Sequence, residues 1–121
     1  MPIDSHIKES ILLSVRNRLE IVDDDDYDQE LIMDINTALS QLNEIGIGVQ
    51  DFVVEDDQQT WSDFLGSSKK YEQAKTFVFL KVKKLFDPPT SSVLSDSMDK
   101  QIAEIFWRLR VKKDNEKGGN T

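Results

Sequence analysis

Asp24, Asp26 and Asp28 alternate along the chain at the spacing with which a calcium-binding loop sets its first, third and fifth ligands. Such a loop also needs a glycine at its sixth position for the sharp turn and a bidentate glutamate at its twelfth. Gln29 and Ile35 stand there instead. The run Asp23-Asp24-Asp25-Asp26 therefore reads as a solvated acidic loop ahead of a helix, where the helix dipole favours negative charge. A metal-dependent enzyme built on residues 23–28 is the lesser alternative.

The other candidates for chemistry are sparser. His6 is the sole histidine and falls at the start of a helical pattern, with no partner fixed near it in the sequence; acid–base work requires one within hydrogen-bond reach. The chain has no cysteine, which removes disulfides and thiolate sites, and with one histidine an ordinary zinc site has no ligand set. Gly46-Ile47-Gly48 lacks the further glycine and the lysine of a phosphate-binding loop and follows a helical segment, so it reads as a helix stop. Lys69, Lys70, Lys75, Lys81, Lys83 and Lys84 could track a phosphate backbone. Lys81, Lys83 and Lys84 spread around a helix, however, and a solvated face or contact with an acidic neighbour is the expectation. Trp61 and Trp107 could anchor an interface, but large aromatics more often pack inside, and packing is expected for both. No catalytic, cofactor-binding or metal-binding residue is assigned, and no cofactor is expected.

The elements that would position these residues are helical. Ile7, Ile11, Leu12, Val15 and Leu19 recur at three-and-four spacing, predicting a helix over residues 5–19 capped by Asp4 or Ser5. Leu31, Ile35, Ala38, Leu39 and Leu42 predict a second over residues 28–45, with Asp26 and Gln29 as a capping box. Residues 50–59 read as an extended stretch or short strand, with a possible extended segment near 51–55. Thr60 and Asp63 predict a cap on a short helical turn that sends Trp61 and Phe64 into the core.

Residues 67–85 are strand-like in composition around Thr76–Val82, but the uninterrupted length from Lys69 to Leu85 favours a helix. Its inner face is expected to hold Tyr71, Ala74, Val78, Leu85 and either Phe77 or Val82. A last helix over residues 93–111 would bury Leu94, Met98, Ile102, Ile105, Phe106 and Leu109. Between these two stand Phe86, Asp87, Pro88 and Pro89. Two prolines lack backbone donors and push Asp87 out of the helical region, so one helix must stop. Any of Thr90, Ser91 and Ser92 can cap the next. The fold class is thus mostly all-α: a small bundle of four main helices plus a short helical turn. Residues 1–111 are expected to form one domain, with 112–121 a flexible basic tail.

Length and composition suit one modest core: 121 residues, 38% hydrophobic. No apolar run is long enough to span a membrane, and Met1-Pro2-Ile3-Asp4 does not open a signal peptide, so a soluble cytoplasmic product is expected. The net charge of −8 is unevenly spread. Residues 1–66 carry 3 Lys/Arg against 16 Asp/Glu, whereas residues 67–121 carry 12 against 7. The acidic half would repel phosphates, which argues against a general nucleic-acid binder. The division suits copies that meet head to tail, acidic surface against basic, or simply two solvated faces. It also admits an acidic mimic of DNA that inhibits a host nucleic-acid-binding protein.

Three stretches in order are more specific than any one alone. They are Tyr27-Asp28-x-Glu30-Leu31-x-x-Asp34-Ile35-Asn36-x-Ala38-Leu39 running to Leu42 and Gly46-x-Gly48, then Thr60-Trp61-x-x-Phe64-Leu65, then Phe77 through Leu85-Phe86-Asp87-Pro88-Pro89. With Trp107-Arg108-Leu109 in the last helix, the chain resembles, over about residues 5–110, the head–tail connector (adaptor or head-completion) proteins of long-tailed bacteriophages and prophages. The resemblance implies a small helical virion protein without enzymatic activity, made in the bacterial cytoplasm. It implies a homo-oligomeric ring, assembled beneath the portal from subunits that can be monomers in solution. The ring's partners would be the portal protein and a tail-side connector or completion protein, with DNA passing through the channel without specific binding and no membrane involved. Phe86, Asp87, Pro88 and Pro89 are then the expected structural turn. Trp107, Arg108, Arg110, Lys112 and Lys113 are the candidate assembly interface.

Overall fold

Six helices order the described residues: α1 (Ser5–Glu9), α2 (Ile11–Arg18), α3 (Asp28–Glu44), α4 (Trp61–Leu65), α5 (Gln73–Phe86) and α6 (Ser92–Gly118). The computed structural model describes residues 5–21 and 25–118. All-α architecture follows from the periodicity of the chain, and no strand is present among the described residues.

α3 is the best-defined element. Leu31, Ile35, Ala38, Leu39 and Leu42 are all buried, on the face their spacing marks out. Its start differs from expectation. Tyr27 is the N-cap and makes no side-chain capping bond, so the Asp26–Gln29 box does not form. Acidic charge in the first turn, from Asp28 and Glu30, complements the dipole instead. Asp23 and Asp24 lie outside the described residues.

The first predicted helix is broken in two at Ser10. The Ser10 hydroxyl accepts from the Leu13 N–H and caps α2, while the neighbouring Ile11 N–H donates to the Gln59 carbonyl at 3.0 Å. Ser10 and Thr60 form an isolated antiparallel bridge, so a donor that would have continued the helix serves another segment. α2 and α3 end in the same hydrogen-bond pattern. Ile21 and Ile47 donate to the carbonyls of Arg16 and Leu42, and Glu20 and Gly46 to those of Asn17 and Asn43. Gly46 meets the left-handed φ of +85° at no steric cost; Glu20 adopts φ 64° without that freedom.

Asparagines on α3 hold the long connection to α4. The Asn36 amide donates to the Val54 carbonyl at 3.0 Å and accepts from the Val54 N–H at 2.8 Å. It does for Val54 what a neighbouring strand would do. Asn43 donates to the carbonyls of Ile47 and Val49 and accepts from the Asp51 N–H. Gly48 must be glycine for space as well as φ: a Cβ there would sit 2.2 Å from the Phe64 ring. The Thr60–Asp63 capping box forms as expected, and Trp61 and Phe64 are buried. The Trp61 indole N–H is satisfied by the Ser14 hydroxyl at 2.9 Å, which ties α4 to α2.

α5 begins at Gln73 and lies at the centre of the bundle. Ala74, Phe77, Val78 and Val82 are buried. Both candidates for the alternative position are therefore inside, and Leu85, expected inside, is exposed. Tyr27 at the start of α3 meets Phe86 at the end of α5, edge to face at 5.5 Å, so these helices run antiparallel. Lys84 pairs with Asp99 and Phe77 packs on Phe106 at 5.2 Å, which makes α6 antiparallel to α5.

Candidate functional site

α6 is the longest helix of the described residues and carries the candidate interface. Its 27 residues make a rod about 40 Å long, against about 21 Å for the 14 residues of α5. It therefore overhangs its partner at both ends.

At the first overhang the turn is built as the prolines require. The Asp87 N–H bonds to the Lys83 carbonyl at 2.8 Å and closes α5. The Ser91 hydroxyl then accepts from the Leu94 N–H, and its carbonyl accepts from the Ser95 N–H. Ser91 is thus the hydroxyl among the three candidates that starts α6. Phe86 is the last helical residue of α5 and is pinned to Tyr27; Asp87 and Pro88 are exposed. Pro88, Pro89, Leu94 and Met98 line a surface groove of about 520 Å³ beside Lys83.

The inward face of α6 is narrower than its sequence suggests. Leu109 is buried, Ile102, Ile105 and Phe106 pack partly against the core, and Leu94, expected inside, is 62% exposed. The reason is the overhang: at Leu94 there is no α5 left to cover it. Val93 and Trp107 are exposed too, Trp107 at 62%. Packing holds for Trp61 and fails for Trp107, which points away from Leu109. Around Trp107 stand Arg108, whose guanidinium pairs with Glu104 at 2.6 Å, and exposed Arg110. An exposed indole beside guanidinium groups is the composition of a protein-contact hot spot.

At the second overhang the sequence suggests a tail from residue 112, but the helix continues to Gly118. A polar cluster holds it. The Tyr71 hydroxyl donates to the Glu116 carboxylate, which also pairs with Lys70 at 3.0 Å. The Lys112 ammonium donates to the Lys70 carbonyl, and the Lys112 and Lys113 ammonium groups stand 5.7 and 5.8 Å from the Tyr71 ring centre. The Lys113 stem covers Gly46 at the end of α3. Lys112 and Lys113, expected in the assembly surface, are thus committed in part to the fold. Burial and the Glu116 hydrogen bond push the Tyr71 phenol up to about 12. Hydrogen bonds from Tyr71 and Lys70 hold Glu116 below the usual carboxylate range. Tyr71 and Glu116 were missed as a pair by sequence reasoning, since they lie on different elements and share no periodic pattern.

The candidates for chemistry do not converge. His6 stands by Asp57 at 4.0 Å on the surface. Asp28 faces Arg16 at 3.6 Å, linking α3 to α2. Among the described residues no group of three His, Asp or Glu side chains is placed to hold a metal ion, and no helix is long and apolar enough to cross a membrane. The lysines of α5 are divided by role: Lys75 pairs with Glu72 and Lys84 with Asp99.

The described residues thus form a helical bundle with a proline-punctuated α5–α6 hairpin and an exposed indole at Trp107. Residues 11–116 match the family described as phage connector protein, and the chain belongs to that family, a structural component of the phage particle. No curated protein and no solved structure matches it.

Proposed function

We infer that this chain is a ring-forming head–tail connector subunit that docks under the portal and links the DNA-filled head to the tail. The observation that carries the reading is the outer face of α6. A long helix is held to the core along one narrow side while Trp107, Arg108 and Arg110 are presented to solvent. A monomer gains nothing by exposing an indole; a partner that covers it gains both apolar burial and guanidinium contacts.

In this reading Phe86–Pro89 sets the angle and register of the α5–α6 hairpin, and so the wedge shape of the subunit. The α6 face engages the portal. The acidic excess of residues 1–66 allows DNA to pass without sticking, because like charges do not release counterions on contact. The direct test is binding to purified portal. Trp107→Ala combined with Arg108→Ala and Arg110→Ala should abolish complex formation while leaving the unfolding midpoint near that of the native chain. Recovery of a host nucleic-acid-binding enzyme from lysate, with no portal binding, would favour an acidic mimic instead.

A further inference from the structure

We propose that copies of this chain join head to tail by seating the acidic corner Asp25–Tyr27 of one copy in a cation-rimmed cleft between α1, α2, α4 and α5 of the next. The proposal rests on the ring reading above and names the contact that would build it.

The cleft is made of two adjoining hollows of about 280 and 400 Å³ that share Lys8, Trp61, Glu72 and Lys75. Its floor is aromatic, with Trp61 and Phe79. The Trp61 N–H is already satisfied by Ser14, so the floor asks for apolar contact rather than a hydrogen bond. The Arg18 guanidinium lies 4.2 Å over the Phe79 ring, which holds that charge at the mouth. Lys8, Arg18, Lys69 and Lys75 stand around the rim against the carboxylates of Glu9 and Glu72. Glu72 is matched by Lys75 at 3.1 Å. Lys8, Arg18 and Lys69 have no ion-pair partner among the described residues. This is a concentration of positive charge where residues 1–66 are otherwise strongly acidic.

An occupant for such a cleft carries carboxylates and an aromatic ring. Asp25-Asp26-Tyr27 offers both, with the two aspartates exposed and Tyr27 half-exposed. The corner cannot fill its own cleft. Tyr27 is fixed against Phe86, and Asp28 faces Arg16. Phe86 lies about 16 Å along α5 from Lys75, at 1.5 Å per residue. The two surfaces are therefore different and stand at opposite ends of one helix. A contact between different surfaces propagates from copy to copy and closes into a ring when the rotation permits.

Two charge-reversed full-length chains test this. Lys8→Glu with Arg18→Glu reverses the cleft, and Asp25→Lys with Asp26→Lys reverses the corner. Each alone should self-associate about 100-fold more weakly than the native chain, in sedimentation velocity with and without purified portal, because like charges are brought together. An equimolar mixture should restore assembly, since each reversed surface then meets its complement. A cysteine-free chain also allows a cross-link readout that needs no charge change elsewhere. Lys8→Cys with Asp25→Cys in one chain should oxidise to a ladder of oligomers, and each single variant, with no cysteine opposite it across the contact, should stay uncross-linked. Native-like assembly by either reversed chain, or native rings without the ladder, would overturn the contact and leave the ring reading standing. A native chain that never self-associates, even on portal, would overturn both.

Discussion

α3 and α6 are helices of the same protein with opposite relations to its core. All five inward residues of α3 are fully buried, and its two asparagines spend their amides on the following loop. α6 is longer by 10 residues yet buries only Leu109 among its large apolar side chains and leaves Val93, Leu94 and Trp107 in solvent. The first is folded by this chain alone. The second is packed along one edge, and most of its described surface faces solvent. The lesson is that helix length and apolar content do not report burial; what matters is whether a partner element runs alongside.

The comparison is sharpest in paired stability measurements. Leu39→Ala in α3 should cost about 2–5 kcal/mol in urea unfolding, through lost burial and the cavity left behind. Trp107→Ala should stay within about 0.5 kcal/mol, as exposed substitutions do. Equal losses would dissolve the distinction. Gly48→Ala should cost about 1–3 kcal/mol, since its Cβ would collide with the Phe64 ring that α3 and its loop enclose. Thr60→Ala should cost about 1 kcal/mol by removing the cap on α4. Glu20→Gly should do the reverse and stabilise by up to about 1 kcal/mol, by relieving the left-handed strain that Gly46 avoids in the matching turn of α3.

A pH titration separates the C-terminal end of α6 from α3. The Glu116 pKa is depressed in the folded chain, so its contribution is complete above the ordinary carboxylate value of 4.5 and is lost as pH falls through the folded value. The protection factors of the amides in residues 112–116, each referred to the intrinsic exchange rate at the same pH, should fall below about pH 4.5 while those of α3 hold. Uniform exchange across both helices would contradict the polar-clamp account of that terminus.

Much of this architecture was legible because it is periodic. The α3 stripe, the Thr60–Asp63 box and the proline stop are local signals with a single structural solution. What could not be read depends on distant partners. Ser10 breaks the first helix because Gln59 and Thr60 claim its neighbourhood. Residues 112–118 stay helical because Tyr71 and Lys70 meet them. Leu94 is exposed because the opposing α5 has ended. Of the residues expected at an interface, Trp107 is exposed, whereas Lys112 and Lys113 stand against the Tyr71 ring. Asn36 and Asn43 gave no signal, since an asparagine on a helix face is ordinary until a loop is found lying across it.

The central claim is that the α6 face is reserved for another protein, and its most direct measurement is portal binding by a folded chain from which that face has been removed. The Trp107→Ala, Arg108→Ala, Arg110→Ala chain should unfold at the native urea midpoint and fail to co-sediment with purified portal. Co-sedimentation equal to that of the native chain would contradict the account.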